Sequence, residues 1–578
     1  MKNISNRFAN ITAATLLIIM FFMTFFSQLG DSATMDELAH IPAGYSYLSQ
    51  QDFRINPEHP PLIKDISAIP LMFLDLNFPI DHPSWTEEIN GQWWLGNEFI
   101  YQSGNDADEI IFWARIPMIL LLILLGLMIF KFAKDFFGNK VALLTLTIFS
   151  FSPSFLAHGS LVTTDIGATL GLVLATYFWL KFLKSPVKKN IILAGIAFGI
   201  AMLCKFSLIL LLPFFTVITI TYAWMKGKKH ILKYIGTALL AGIIGIIFIV
   251  WPFYQLHVIN YPAERQLSDT TAVLESFPIK VLKDLSIWMS DIPGLRAINH
   301  YFLGLLMATH RTATGNTVYF LGNISKIGWW FYFPVVYFLK IPLAFHILTL
   351  LSLLLAALAV SKPFWVNTSQ RIKSWIRNHF PEFSMLVFIA IYWITSISGN
   401  LNIGIRHVLP TFPFIYILVS IGIVSASKRI KKLYIFVFAL LAWYIASSLC
   451  CFPYYLSYFN EIGGGYKEGY KYVVDSNYDW GQDLKRLKTW VEENNIEKIK
   501  VDYFGGGDVK YYLGDRYERL DSQSGPQKGW LAISIGQLQS GKGNPVPGFN
   551  DPARYYEWLN EYQPEARVGT SIFIYHIE

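Results

Sequence analysis

Charge is what this sequence has least of. Only 15% of its 578 residues are Asp, Glu, Lys or Arg, while 53% are hydrophobic and 16% aromatic. Soluble domains carry roughly 25% charged residues, so a wholly water-exposed fold is excluded. Cysteine is nearly absent as well. Cys204, Cys450 and Cys451 are the only three, and all lie in or at the end of apolar runs. No disulfide framework therefore holds the polar segments, which leaves the compartment open. The turn Gly505-Gly506-Gly507-Asp508 lacks both a phosphate-loop lysine and a dinucleotide fingerprint. The net charge of +7 does not point to nucleic acid, because the basic residues are scattered between apolar runs. Internal repeats and low-complexity tracts are missing too.

What is present is a series of apolar runs, each near the ~20 residues a bilayer requires. Eleven candidate spans are read at about 11–29, 113–131, 141–157, 166–182, 190–204, 206–224, 234–251, 334–360, 384–399, 408–426 and 433–452. The first follows Lys2 and Arg7 and reads as a retained helix rather than a cleaved signal, since it is long enough to span and others follow. The fifth and sixth are split only by Lys205, which reads as a tight re-entrant turn.

Alternate loops are basic: Lys2/Arg7, Lys131/Lys134/Lys140, Lys181/Lys184/Lys188/Lys189, Lys226/Lys228/Lys229, Lys362/Arg371/Lys373/Arg377 and Lys428/Arg429/Lys431/Lys432. Lys/Arg asymmetry sets orientation. These loops, and the N-terminus, are therefore expected in the cytoplasm of an integral plasma membrane protein. The opposite side holds 31–112, 252–333 and the C-terminal tail. Segment 31–112 carries fourteen acidic residues against Arg54 and Lys64. The expected architecture is an all-α polytopic membrane protein of about 11 or more helices, residues 1–455. A small extracytoplasmic α/β domain, 456–578, follows it. In that tail, Trp480 to Asn494 reads as an amphipathic helix, and Ile499 to Phe504 and Trp530 to Ile535 read as strands.

Four motifs lie at the outer mouths of these spans. Asp36-Glu37 follows the first span; two adjacent acids there can hold a metal or act as a general base, or simply begin a helix. Asn56-Pro57-Glu58-His59-Pro60-Pro61-Leu62-Ile63-Lys64 presents Glu58 and His59 on a proline-fixed backbone. Lys64 lies about one and a half turns on, near a lipid phosphate or on a plain surface helix. Thr164-Asp165 opens the fourth span, as a cap or as a costly acid at membrane depth. Arg406-His407 enters the tenth, where an arginine binds phosphate or carboxylate through paired hydrogen bonds, or snorkels. Lys340-Ile341-Pro342 interrupts an apolar run as a second headgroup contact or a snorkelling lysine. Topology places all of these near one outer surface. Acids and cations gathered there suit chemistry on an anionic lipid headgroup.

These residues resemble the GT-C type of membrane glycosyltransferase, in the bacterial group similar to the protein O-mannosyltransferases and the lipid A aminoarabinose transferase. The resemblance spans most of residues 10–455. It rests on Asp36-Glu37, Glu58-His59-Pro60-Pro61-Leu62-Ile63-Lys64, Thr164-Asp165, Gly328-Trp329-Trp330-Phe331-Tyr332-Phe333-Pro334 with Lys340-Ile341-Pro342, and Gly404-Ile405-Arg406-His407-Val408-Leu409-Pro410. It implies a polyprenyl-phosphate sugar donor, hexosyl or pentosyl, and transfer with inversion to a hydroxyl of a lipid, glycan or protein acceptor. Asp36 would be the general base, with Glu37 beside it. Asp165 would hold the acceptor or, with Asp36, a divalent metal, whose need differs between members and stays open. Glu58, His59, Lys64, Lys340, Arg406 and His407 would bind substrate, with Lys64, Arg406 and His407 on the departing phosphate.

Two rivals are weighed against this. A lipid-linked glycan polymerase or ligase would also place arginines outside, yet would not require the early Asp-Glu pair or the acid at the fourth span. A lipid or sugar transporter should carry its charges near the bilayer midplane within broken helices, whereas here they gather at the outer mouths.

Overall fold

In the computed structural model, described over residues 4–359, 367–430 and 432–578, every one of the eleven apolar runs is helical. Lys2, Lys362, Lys431 and the last residue of the 334–360 run lie outside the described residues. Among the described residues, eight helices are long and apolar enough to cross a membrane: Asn6–Ser27, Ala107–Phe137, Asp165–Lys184, Phe206–Lys226, Lys228–His257, Phe380–Ser398, Ile405–Arg429 and Leu433–Cys450. That number and apolarity make the chain an integral membrane protein.

The other three runs depart from the expected full spans. The expected 334–360 span is two helices, Tyr332–Lys340 and Leu343–Leu358, bent by 110°. The bend falls at Ile341-Pro342, where proline has no N–H to donate and its ring disfavours helix in the preceding residue. The 141–157 run forms helix Asn139–Ser150 of 12 residues, ending before Ser152-Pro153. At 1.5 Å per residue it is about 18 Å long, short of a ~30 Å hydrocarbon core. The 190–204 run forms helix Lys188–Met202 of 15 residues, which stops before Lys205.

The tail adds a five-stranded sheet in the order β4-β3-β5-β8-β7, with β3 Ile499–Asp502, β4 Tyr517–Arg519, β5 Gly529–Ser534, β7 Ala566–Val568 and β8 Ile572–Ile577. Strands β3, β4 and β5 run parallel, and β8 is antiparallel to β5 and β7. The expected amphipathic helix is Leu484–Glu493. A second sheet joins the tail to the segment before the bent pair. Hairpin β1 Val318–Phe320 and β2 Asn323–Ser325 turns at Leu321-Gly322, both with positive φ, and β6 Asn544–Pro545 pairs with β2. One buried apolar cluster runs from Leu122 of the 107–137 helix to Leu531 of the tail sheet. Buried contacts therefore cross residue 455.

Candidate active site

The four outer motifs converge around Arg406. Its Nη1 donates to Asp36 Oδ2 at 2.8 Å and to Asp165 Oδ2 at 3.4 Å. Lys205 Nζ donates to the other Asp165 oxygen at 2.5 Å. Two acids and two bases thus share a network with little exposure to water, where charge interactions are screened least. The tail completes it. Arg406 Nε donates to Ser476 Oγ at 3.1 Å, and its Cζ lies 4.3 Å from the centre of the Trp480 ring. The backbone N–H of Ile405 donates to Asn477 Oδ1 at 2.9 Å.

A cavity of about 380 Å³ opens beside this network. Of the expected site residues, Asp36, Glu58, His59, Arg406 and His407 line it, joined by Lys205 and Arg311. The rest of its wall mixes apolar and aromatic side chains such as Phe206, Leu305 and Phe333 with hydroxyl groups such as those of Ser207, Thr309 and Thr395. Glu58 is held by Asn90 and Gln92, whose side-chain amides donate to it at 3.2 and 2.7 Å. The His59 ring meets His40 edge to face at 5.0 Å. Burial, with the charge of Lys64 nearby, pushes His59 well below the usual histidine value. It is neutral at pH 7. His407 Nε2 has no hydrogen-bond partner among the described residues. Burial pushes the Asp36 carboxyl up, but the Arg406 guanidinium more than offsets this and holds it below the usual carboxylate value. Asp36 is therefore ionised at neutral pH.

Four expected site residues lie behind the wall. Glu37 was paired with Asp36 as a catalytic acid, yet adjacent helical positions diverge by about 100°. Its side chain is fully buried, taking Arg115 Nε at 2.8 Å and Nη2 at 2.6 Å. It also accepts the Thr34 N–H at 2.8 Å and the Val162 N–H at 3.0 Å. Glu37 caps helix Met35–Ser49 in the manner of a capping box. Asp165 has no exposed surface, so it holds Lys205 and Arg406 rather than a ligand. Lys64 Nζ is buried against four oxygens, of Tyr47 (2.8 Å), Asn56 (2.9 and 2.8 Å) and His59 (2.9 Å). An ammonium has three protons, so none is left for a phosphate; Lys64 instead fixes the 56–59 turn. Lys340 Nζ likewise donates to the carbonyls of Leu456 (2.8 Å) and Asn477 (2.7 Å), tying the helix bend to the tail.

The donor set does not fit the divalent metal left open between Asp36 and Asp165. Both carboxylates already face Arg406, and Asp165 also faces Lys205. Among the described residues no group of three or more His, Cys, Asp or Glu side chains is placed to hold a metal ion.

Four residues of this site escaped the sequence. Lys205 did leave a signal, as a lone lysine between two apolar runs, and such a residue is a functional candidate by default. Arg311 sits on helix Arg296–Thr314 with nothing local to mark it. Ser476 and Trp480 lie in the tail, some seventy residues beyond the guanidinium they meet.

Residues 107–253 match the family described as dolichyl-phosphate-mannose-protein mannosyltransferase. No curated protein matches the chain. Among solved structures, the chain is similar to the protein O-mannosyltransferase Pmt1-Pmt2 complex of S. cerevisiae bound to the sugar donor, at 16% identity and a TM-score of 0.34. That match covers 44% of this chain and 34% of the other, so the chain spans about a third of that relative's length. It is similar to the oligosaccharyltransferase AglB of Archaeoglobus fulgidus in complex with an inhibitory peptide and a dolichol-phosphate, at 12% identity and a TM-score of 0.46, covering 90% and 69%. It is also similar to ArnT of Cupriavidus metallidurans bound to undecaprenyl phosphate, at 11% identity and a TM-score of 0.29, covering 99% and 98%.

Proposed function

We propose that this chain is a membrane glycosyltransferase that moves a sugar from a polyprenyl-phosphate carrier to an acceptor hydroxyl, with inversion, on the extracytoplasmic face. One observation carries the reading. An ionised carboxylate, Asp36, and a guanidinium, Arg406, face one cavity in contact with each other, with Lys205, Arg311 and His407 around them. The matched mannosyltransferase family supports the reaction class. The N-terminus is assigned to the cytoplasm and the tail to the outer side, from the Lys/Arg asymmetry of the loops.

The steps follow from charge. The donor phosphate is drawn to Arg406, with the other cations and His407 nearby. That withdraws part of the positive charge from Asp36 and makes its carboxylate a stronger base. Asp36 takes the proton of the acceptor hydroxyl as its oxygen bonds to the anomeric carbon. The bond from that carbon to the phosphate oxygen breaks, and its electron pair leaves with the lipid phosphate. The cations stabilise the charge that develops there. Inversion follows from attack on the face opposite the leaving phosphate.

Purified protein is incubated with a panel of polyprenyl-phosphate sugars and acceptors, and released lipid phosphate is scored. The expected result is release that requires an acceptor and is abolished in a folded Asp36→Asn variant. Near-normal release by that variant removes Asp36 from the base role. Movement of labelled substrate across vesicles without a new glycosidic bond returns the chain to the transporter class.

A further inference from the structure

The tail holds a second cavity, of about 380 Å³, which shares no lining residue with the cavity beside Arg406. That volume is within the ~300–1,000 Å³ usual for small-molecule sites. It opens where β3 and β4 end, at Asp502 and Arg519, and beside Gln537 in helix Ile535–Lys542. In open sheets with parallel strands, ligands bind outside the carboxyl ends of the strands, where successive connections diverge. The sheet order meets that condition. The chain leaves β3 towards β4 on one side, and leaves β5 towards β8 and β7 on the other. Asp502 and Gln537 span the divergence, with Gln537 Nε2 donating to Asp502 Oδ1 at 3.1 Å.

The lining selects the ligand. A nucleotide would need the glycine turn after β3 to cradle its phosphates, but protein already fills that turn. A Cβ added at Gly506 would lie 2.2 Å from the Thr34 carbonyl oxygen, and one at Gly505 would lie 2.5 Å from Gly481 Cα. An anion is also disfavoured, because two carboxylates, Asp502 and Asp521, face one guanidinium, Arg519. What remains is a wall of carboxylate, amide, guanidinium and hydroxyl groups, with the Tyr517 ring beside them. Asp502 already accepts from Gln537 and, at 2.6 Å, from the Tyr556 hydroxyl, so Arg519 and Gln523, exposed and without a side-chain hydrogen bond among the described residues, are the groups left to pair with neighbouring hydroxyls of a ligand.

We propose that this tail cavity is a binding site for a neutral saccharide. The site stands on its own lining. Only the further step, that the bound saccharide is part of the acceptor or product, rests on the transferase reading. The full-length protein in lipid nanodiscs, free of sugar-based detergent, is titrated with a panel of neutral di- to tetrasaccharides and followed by ligand-observed NMR. Saturable binding is expected for at least one member, weakened tenfold or more by Arg519→Ala combined with Gln523→Ala, with unchanged thermal stability. Asp36→Asn is expected to leave the binding as it is. Three results overturn the site: no saturable binding across the panel, binding indifferent to the tail variant, or preferential binding of a nucleotide or an anionic sugar. No donor is present in this titration, so a failure of sugar transfer and a failure of this site are read separately.

Discussion

At Arg406, one guanidinium nitrogen serves two carboxylates, while Nε is held by Ser476 and the plane stacks near Trp480. A lysine carries the same charge but cannot reproduce that planar, multi-point hold. Arg406→Lys is therefore expected to fold and to lose about 100- to 1,000-fold in kcat/KM, the scale of removing one stabilising donor from a charged transition state. Steady-state kinetics with the polyprenyl-phosphate donor checks this, and an unchanged kcat/KM reduces Arg406 to a structural ion pair. Glu37 makes the opposite case. Its partner Arg115 and its own side chain are both fully buried. Glu37→Gln strips the charge from one side of a buried pair and is expected to cost roughly 3–5 kcal/mol. Thermal or denaturant unfolding should show that loss, whereas a catalytic role for Glu37 would show as lost turnover at full stability.

Among the elements, the loop from Asp475 to Trp480 and the strands behind it matter most. Asp475 is the residue of positive φ that starts this loop. Burial pushes its carboxyl up to about 6, even against the pull of Arg406. Trp480 offers Arg406 a ring, an interaction worth about 0.5–2 kcal/mol. Trp480→Ala should therefore raise the donor KM by about 2- to 30-fold, as Arg406 gains freedom. An unchanged KM would leave Trp480 as packing alone. Asp479 couples the same loop to the sheet by accepting the Gly536 N–H at 2.6 Å. Burial pushes its carboxyl up from 3.8 to about 7. A raised carboxyl contributes stability that is complete below the ordinary value and lost as pH rises through the folded one. Melting temperature is thus expected to fall as pH rises through about 7, and Asp479→Asn should flatten that fall. A variant that follows the wild-type curve would place the titration elsewhere.

For the whole molecule, the tail and the membrane helices behave as one packed body. The buried apolar cluster spans both, β6 pairs with β2, and Lys340 holds two tail carbonyls. A chain ended at residue 455 is therefore expected to expose the backbone of 403–407 to rapid hydrogen exchange and to lose transfer. Full protection of 403–407 in that chain would mean that the tail is an appendage.

Much of this architecture was open to a reading of order and composition. The chain's membrane character and the helical state of eleven apolar runs followed from apolar length, which is a property of the chain in one dimension. The break at Ile341-Pro342 was visible as a motif, but its angle of 110° depends on what packs on either side. Only the tertiary structure decided which of two neighbouring acids faces the cavity, because helix phase and the site of Arg115 set that choice. Only the tertiary structure could turn Lys64 and Lys340 inward onto carbonyls, or bring Arg406 to Asp36 across 370 residues of sequence. Charge pairing acts through space over a few ångströms, and a linear pattern of residues carries no measure of that distance.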